Sequence, residues 1–258
     1  MKYRRIGIIG AGLIGKAIYD EVLRCEQAEV AYVLASRAGR ASMRSSEWLD
    51  PGLCVHDLEE ALARPVDVVF EAAHADVLAA IAPRVLVSSD LCGFSCSALA
   101  RPDVERAITE SCRANGTRFF LPHGAILGLD GLVDGRDCIE DVTITTTKSA
   151  AGLGLQDSAE GVVFEGPARE VCRKFPRNVN VHAAIAIAGI GFDRTKSIVV
   201  VKRGTDEMNH RIQVSGKGFA WDFSVASRSL GGVTGAYTPR SAAGSVRRIL
   251  ASEGIVNG

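Results

Sequence analysis

The sequence lacks an excess of either charge: its 30 basic residues are matched by 30 acidic ones. A balanced chain has no basic footprint for nucleic acid. It also lacks any apolar run near the ~18 residues that a membrane helix needs. Charged residues at the start lead straight into a strand pattern, which does not read as a signal peptide. There is no C-x-x-C pair, and seven cysteines are an odd number. A disulfide framework is therefore not expected, and the composition fits a reducing cytoplasm. Cys25, Cys54, Cys112, Cys138 and Cys172 read as small core residues, and no metal site is expected at Cys92 and Cys96. Internal repeats and low-complexity tracts are missing too.

What is present is apolar and periodic. Of 258 residues, 47% are hydrophobic, enough for one large or two smaller domains with real cores. The start is the most informative stretch: Arg5-Ile-Gly-Ile-Ile-Gly10-Ala-Gly12-Leu13-Ile14-Gly15-Lys. An apolar run ends at Gly10, glycines follow with the spacing G-x-G-x-x-G, and an amphipathic run begins at once. Such a strand–turn–helix cradles a dinucleotide pyrophosphate. Gly10 permits the tight turn, Gly12 lets backbone approach the phosphates, and Gly15 lets the helix pack on the strand. Leu13 and Ile14 supply backbone at the helix entry.

Strand and helix patterns then alternate. Glu29-Val-Ala-Tyr-Val-Leu-Ala35, Val66-Asp-Val-Val-Phe70, Val85-Leu-Val-Ser-Ser89 and Thr117-Arg-Phe-Phe-Leu-Pro122 read as strands. Residues 75–86 and 102–115 read as helices. This alternation predicts an α/β chain opening with a Rossmann-type, doubly wound parallel sheet. Beyond residue 120 the runs become β-rich, at 141–147, 195–203, 210–214 and 219–225. The alternation in Val142-Thr-Ile-Thr predicts a sheet with one wet face. Residues 178–189 read as a buried helix, and 240–252 as a helix returning to the first domain. Residues 152–161 and 227–237 read as loops. The expected division is 1–120 with 240–258 for dinucleotide binding, and 121–239 for substrate binding and dimerisation.

An acid at the tip of the second Rossmann strand favours NAD, whereas Arg there suits the 2′-phosphate of NADP. The strand ends in Leu34-Ala-Ser36-Arg37-Ala-Gly-Arg40. Ser36 and Arg37 point to NADP, or to use of both cofactors. FAD is less favoured, because the second half carries no further flavin signature.

Past residue 120 the chain resembles the L-aspartate dehydrogenase family. The resemblance rests on Leu121-Pro-His-Gly-Ala-Ile-Leu-Gly-Leu-Asp130-Gly-Leu, Thr145-Thr-Thr-Lys148, Phe164-Glu-Gly-Pro-Ala-Arg-Glu170, Lys174-Phe-Pro-Arg-Asn178-Val-Asn180-Val and Asn209-His210-Arg-Ile. It implies a Rossmann domain closed by a C-terminal helix, an inserted substrate domain, a homodimer, and supply of iminoaspartate for NAD synthesis. It implies His210 as general acid/base and Asn180 as a cofactor contact. Three departures stand out: His123 where the family has Ser, no Arg just before Lys148, and Tyr237-Thr-Pro-Arg-Ser241 where the family reads Asn-Pro-Lys-Thr-Ser.

Amino-acid oxidation needs held carboxylates and a group that moves protons near neutral pH. Lys148 and Arg240 are candidate grips for a dicarboxylate. His123, at the carboxyl edge of the last Rossmann strand, is a candidate substrate or nicotinamide contact, and Gly124 and Ala125 present backbone beside it. His182, on the Ala/Ile-rich helix, reads as a core or interface residue, His74 as a helix start and His56 as surface. Asp130 reads as a capping or substrate residue. The expected reaction is oxidation of L-aspartate to oxaloacetate and ammonia with NAD(P). The alternatives are an NADP-dependent reductase of a related imine or keto acid, and a non-catalytic dinucleotide sensor.

Overall fold

The computed structural model describes residues 3–35, 48–156, 158–230 and 234–251. The chain forms two compact units. The first comprises Met1–Ser95, Asp103–Pro122 and Pro239–Gly258, and the second comprises Cys96–Pro102 and His123–Thr238. Residues 96–102, inside the stretch read as first domain, thus group with the second unit.

The first unit is a parallel sheet of β1 (Arg5–Ile9), β2 (Glu29–Leu34), β3 (Cys54–Val55), β4 (Val68–Glu71), β5 (Asp90–Gly93) and β6 (Phe119–Phe120). Their spatial order, β3-β2-β1-β4-β5-β6, is that of a Rossmann sheet. β1 and β4 are near-continuous apolar runs because helices cover both faces of such a sheet. The helices are α1 (Leu13–Val22), α2 (Leu58–Leu62), α3 (Ala75–Val85) and α4 (Pro102–Asn115). The C-terminal helix (Tyr237–Leu250, α9 in chain order) also belongs here. It buries Ala242, Val246 and Leu250 in one core with Ile6, Ile8, Ile18 and Phe70.

One strand differs from expectation. Residues 85–89 are not a strand; α3 continues to Val85, through Pro83, and β5 starts at Asp90. Leu78, Ile81, Ala82 and Val85 complete a helical apolar stripe, and that burial outweighs the β-branched run. Asp90, polar at a strand start, is held by Arg118 through its backbone N–H at 2.7 Å and its Nε at 3.2 Å.

The second unit is a five-stranded mixed sheet of order β11-β10-β7-β9-β8. Its strands are β7 (Ile139–Lys148), β8 (Gly161–Pro167), β9 (Lys196–Val201), β10 (Glu207–Gly216) and β11 (Phe219–Arg228). β7 pairs antiparallel with β10 and parallel with β9. α5 (Leu129–Asp134), α6 (Ala150–Leu153), α7 (Ala168–Lys174) and α8 (Asn180–Ala188) complete the unit. α8 is apolar nearly all round, so it is buried on all sides.

The cysteine expectation needs correcting. Cys92, Cys96 and Cys172 are buried, Cys25, Cys54 and Cys112 are half-buried, and Cys138 is exposed. Cys138 ends a single-turn helix before β7. No described helix is long and apolar enough to cross a membrane.

Candidate active site

The glycine turn adopts the geometry its spacing predicts. Gly10 sits at φ +108°, a conformation L side chains rarely adopt. A Cβ there would lie 2.5 Å from the Ala72 carbonyl oxygen. A Cβ on Gly15 would lie 1.9 Å from the Gly10 carbonyl oxygen, so the close packing of helix on turn requires glycine. Gly12 is different: a Cβ there meets nothing within 4 Å. Gly12 is the N-cap of α1, no side chain caps it, and the first turn holds no acid. The positive end of α1 thus starts beside the open space at Gly12, with no side chain capping it, which suits an anion. The turn follows the carboxyl end of β1, and the strand order reverses between β1 and β4, the place where such sheets bind ligands. Ser36 and Arg37 lie outside the described residues.

Beside this turn stands a buried acid that sequence inspection missed. Glu71 ends β4 and is 0% exposed. Its carboxylate accepts from Ala73 N–H at 2.7 Å, Ser95 N–H at 3.1 Å and Ser95 Oγ–H at 2.8 Å. Burial pushes its pKa up to about 7, against the pull of those donors. It ties the loops after β4 and β5 together.

In the second unit, period-two alternation decides which side chains face inward. On β7 these are Val142, Ile144, Thr146 and Lys148; on β10 they are Met208, His210, Ile212 and Val214. Both rows begin or end as ordinary core and then place polar groups in core positions. His210 lies directly opposite Thr146 in the ladder. Thr146 Oγ1 is 2.8 Å from His210 Nδ1 and 2.7 Å from Nε2 of His182, which projects from α8. All three residues are at most 2% exposed. His182 is therefore part of a polar cluster and not a plain core residue, and its Nδ1 has no hydrogen-bond partner among the described residues.

Burial keeps this cluster neutral. The His210 pKa is pushed down to about 3, by desolvation first and the Lys148 charge second. His182 falls well below the ordinary range by burial, then His210, then Lys148. Lys148 is 3% exposed, and burial lowers it to about 8. Its Nζ reaches the Asn178 carbonyl oxygen at 3.4 Å. Asn178 Oδ1 is buried without a partner among the described residues, while its Nδ2 donates to the Leu153 carbonyl at 3.4 Å. A buried ammonium, an unpartnered amide oxygen and a neutral histidine are groups able to bind and reprotonate a small polar acid.

The remaining candidates are more dispersed. Asn180 opens α8 and its Oδ1 accepts from Ser97 N–H at 3.1 Å, pinning the single-turn helix Cys96–Ala100. Neither Asn178 nor Asn180 caps α8; Val179 holds that position. His123 is half-buried in a turn closed by Ile126 N–H to its carbonyl at 3.1 Å. Gly124 follows at φ +60° and Ala125 is half-buried. Arg240 is exposed in the first turn of α9, in the first unit. Asp130 is exposed in the first turn of α5. His74 is the N-cap residue of α3. His56 is half-buried, and its Nδ1 meets the Ala35 carbonyl at 2.8 Å. No group of three or more potential metal ligands stands together among the described residues.

Comparison with known proteins agrees with both halves of this architecture. Residues 10–122 match the family described as homoserine dehydrogenase, NAD binding domain. Residues 130–249 match aspartate dehydrogenase, C-terminal. The L-aspartate dehydrogenase of Archaeoglobus fulgidus is 33% identical over 254 residues, covering 97% of this chain and 99% of that protein. This chain belongs to the L-aspartate dehydrogenase family. The enzyme of that name from Methanosarcina acetivorans is 31% identical, with 83% of this chain and 84% of that protein covered. The crystal structure of aspartate dehydrogenase from Thermotoga maritima superposes with a TM-score of 0.77 at 25% identity, covering 99% of each chain.

Proposed function

We propose that the protein is an NAD(P)-dependent L-aspartate dehydrogenase. It would convert L-aspartate, water and oxidised cofactor to oxaloacetate, ammonia, reduced cofactor and a proton through iminoaspartate. The observation that carries this reading is a buried His210, hydrogen-bonded to Thr146 and near a buried Lys148, in a chain that aligns over 97% of its length with an L-aspartate dehydrogenase.

The glycine turn fits a dinucleotide: Gly10, Gly12, Leu13, Ile14 and Gly15 would hold the pyrophosphate through backbone and the α1 N-terminus. When bound, the nicotinamide supplies the hydride acceptor. Ser36 and Arg37 would favour the 2′-phosphate of NADP over NAD. Ala125 and Asn180 are proposed cofactor contacts. Lys148, Arg240 and His123 would receive the substrate carboxylates. His210 would take a proton at Nε2 from the water that attacks the imine, and return one in the reverse direction. Dimerisation through the second unit, a cytoplasmic location and a role in NAD synthesis belong to the same proposal.

The test is product identification. Incubation with L-aspartate and NAD or NADP should yield oxaloacetate and ammonia in equal amounts. Dinucleotide binding with no ammonia release would contradict it, and would favour the reductase of a related keto acid.

A further inference from the structure

Thr146 bridges two neutral, buried imidazoles, and a hydroxyl has only one proton to give. Accepting from both rings would leave its own buried O–H without an acceptor among the described residues, so it donates to one ring and accepts from the other. Two proton orders satisfy this. In one, His210 Nδ1–H donates to Thr146, whose hydroxyl donates to His182 Nε2. In the other, every bond is reversed, and His210 carries its proton on Nε2. The unpartnered His182 Nδ1 does not choose between them, since it is left as a bare N–H in the first order and as a bare lone pair in the second.

We propose that Thr146 and His182 are positioning residues that hold His210 as the Nδ1–H tautomer, leaving its Nε2 lone pair to accept the proton of the reaction. The proposal rests on His210 as the acid/base group. Only the first order meets that need: with Nε2 already protonated, a neutral imidazole has no lone pair there. When an O–H bond of water breaks, its proton forms an Nε2–H bond and its electron pair goes to the new C–O bond, while the C=N π pair of the protonated imine moves onto its nitrogen. The imidazolium so formed keeps its Nδ1–H···Oγ bond, and no proton has to cross to His182. The role of His182 is to occupy the Thr146 proton, so that the hydroxyl oxygen can only accept from His210. A buried network with every member committed is also rigid, so it fixes ring orientation together with tautomer.

The experiment is nitrogen NMR on histidine-labelled protein, with His210→Ala assigning the signal, beside kinetics of the same samples. Wild type should show His210 protonated at Nδ1 and bare at Nε2. Thr146→Val keeps the strand-forming shape but removes the hydroxyl. It should mix or invert the tautomer and lower kcat about 100-fold, with KM for aspartate changed less than about threefold. Thr146→Ser should restore the tautomer and most of kcat. Should Thr146→Val fail to fold, His182→Leu serves instead: it frees the hydroxyl to donate to His210 and should shift the tautomer toward Nε2–H. A wild-type Nε2–H tautomer, or one unmoved by these variants, overturns the proposal. The tautomer is read on the free protein, so absence of aspartate turnover would count against the activity and leave this result intact.

Discussion

A Cβ on Gly15 would stand 1.9 Å from the carbonyl oxygen of Gly10, while one on Gly12 would touch nothing within 4 Å. Two glycines of one motif therefore do different work, and the difference is measurable. Gly15→Ala should destabilise the first unit, because backbone on both sides must move. Gly12→Ala should leave the melting temperature unchanged and weaken dinucleotide binding by about tenfold or more, since its methyl would enter the space before the helix end. Calorimetry and a binding titration on both variants check this. Equal effects on stability would contradict it.

Lys148 gives a pH prediction. Burial lowers its pKa from 10.5 to about 8, so below pH 8 the folded protein carries a buried charge that the unfolded chain carries in water. That cost is complete below pH 8 and vanishes as pH rises toward the unfolded value. Relative to Lys148→Met, wild type should gain stability between about pH 8 and 10. Binding of a dicarboxylate such as succinate should run the other way, weakening above pH 8 as the ammonium is lost. A flat binding profile from pH 7 to 9.5 would remove Lys148 from the substrate site.

Glu71 behaves oppositely. Its folded pKa is raised from 4.5 to about 7, so between those values the unfolded chain releases a proton that the folded one retains. Folding stability should therefore fall as pH rises from about 4.5 to 7, with no further change from this group above. Glu71→Gln should flatten that slope in denaturant titrations at several pH values. An unchanged slope would show that the donors from Ala73 and Ser95 keep the carboxylate ionised.

Arg37→Asp should shift the ratio of kcat/KM for NADP against NAD toward NAD by about tenfold or more, because a carboxylate pairs with the ribose 2′-hydroxyl and repels a 2′-phosphate. An unchanged ratio would detach Arg37 from cofactor choice.

The first unit was legible because its signals are local. Gly10, Gly12 and Gly15 lie within six residues, and each strand of the parallel sheet is a short apolar run. The strand assigned to 85–89 failed because Val85-Leu-Val is apolar in either conformation, and only the stripe from Leu78 to Val85 decides it. β3 and α2 are too short to carry a period, and the two glycines and the proline of β8 interrupt its strand pattern. In the site, His210 and Lys148 were found, but Thr146 and His182 were not. A threonine in a strand of threonines carries no mark of its own. Its importance arises from pairing with His210, 64 positions later in the chain, and from α8 bringing His182 onto the same hydroxyl. Glu71 is equally unmarked in the sequence, because its partner Ser95 lies 24 residues on.

The most direct test of the account is the appearance of reduced nicotinamide absorbance on mixing L-aspartate and NAD or NADP with wild type and His210→Ala. Turnover by wild type, lost by about 100-fold or more in the variant while dinucleotide still binds, is the predicted result. Equal turnover in both would remove His210 from the chemistry, and none in either would contradict the assignment of L-aspartate as substrate.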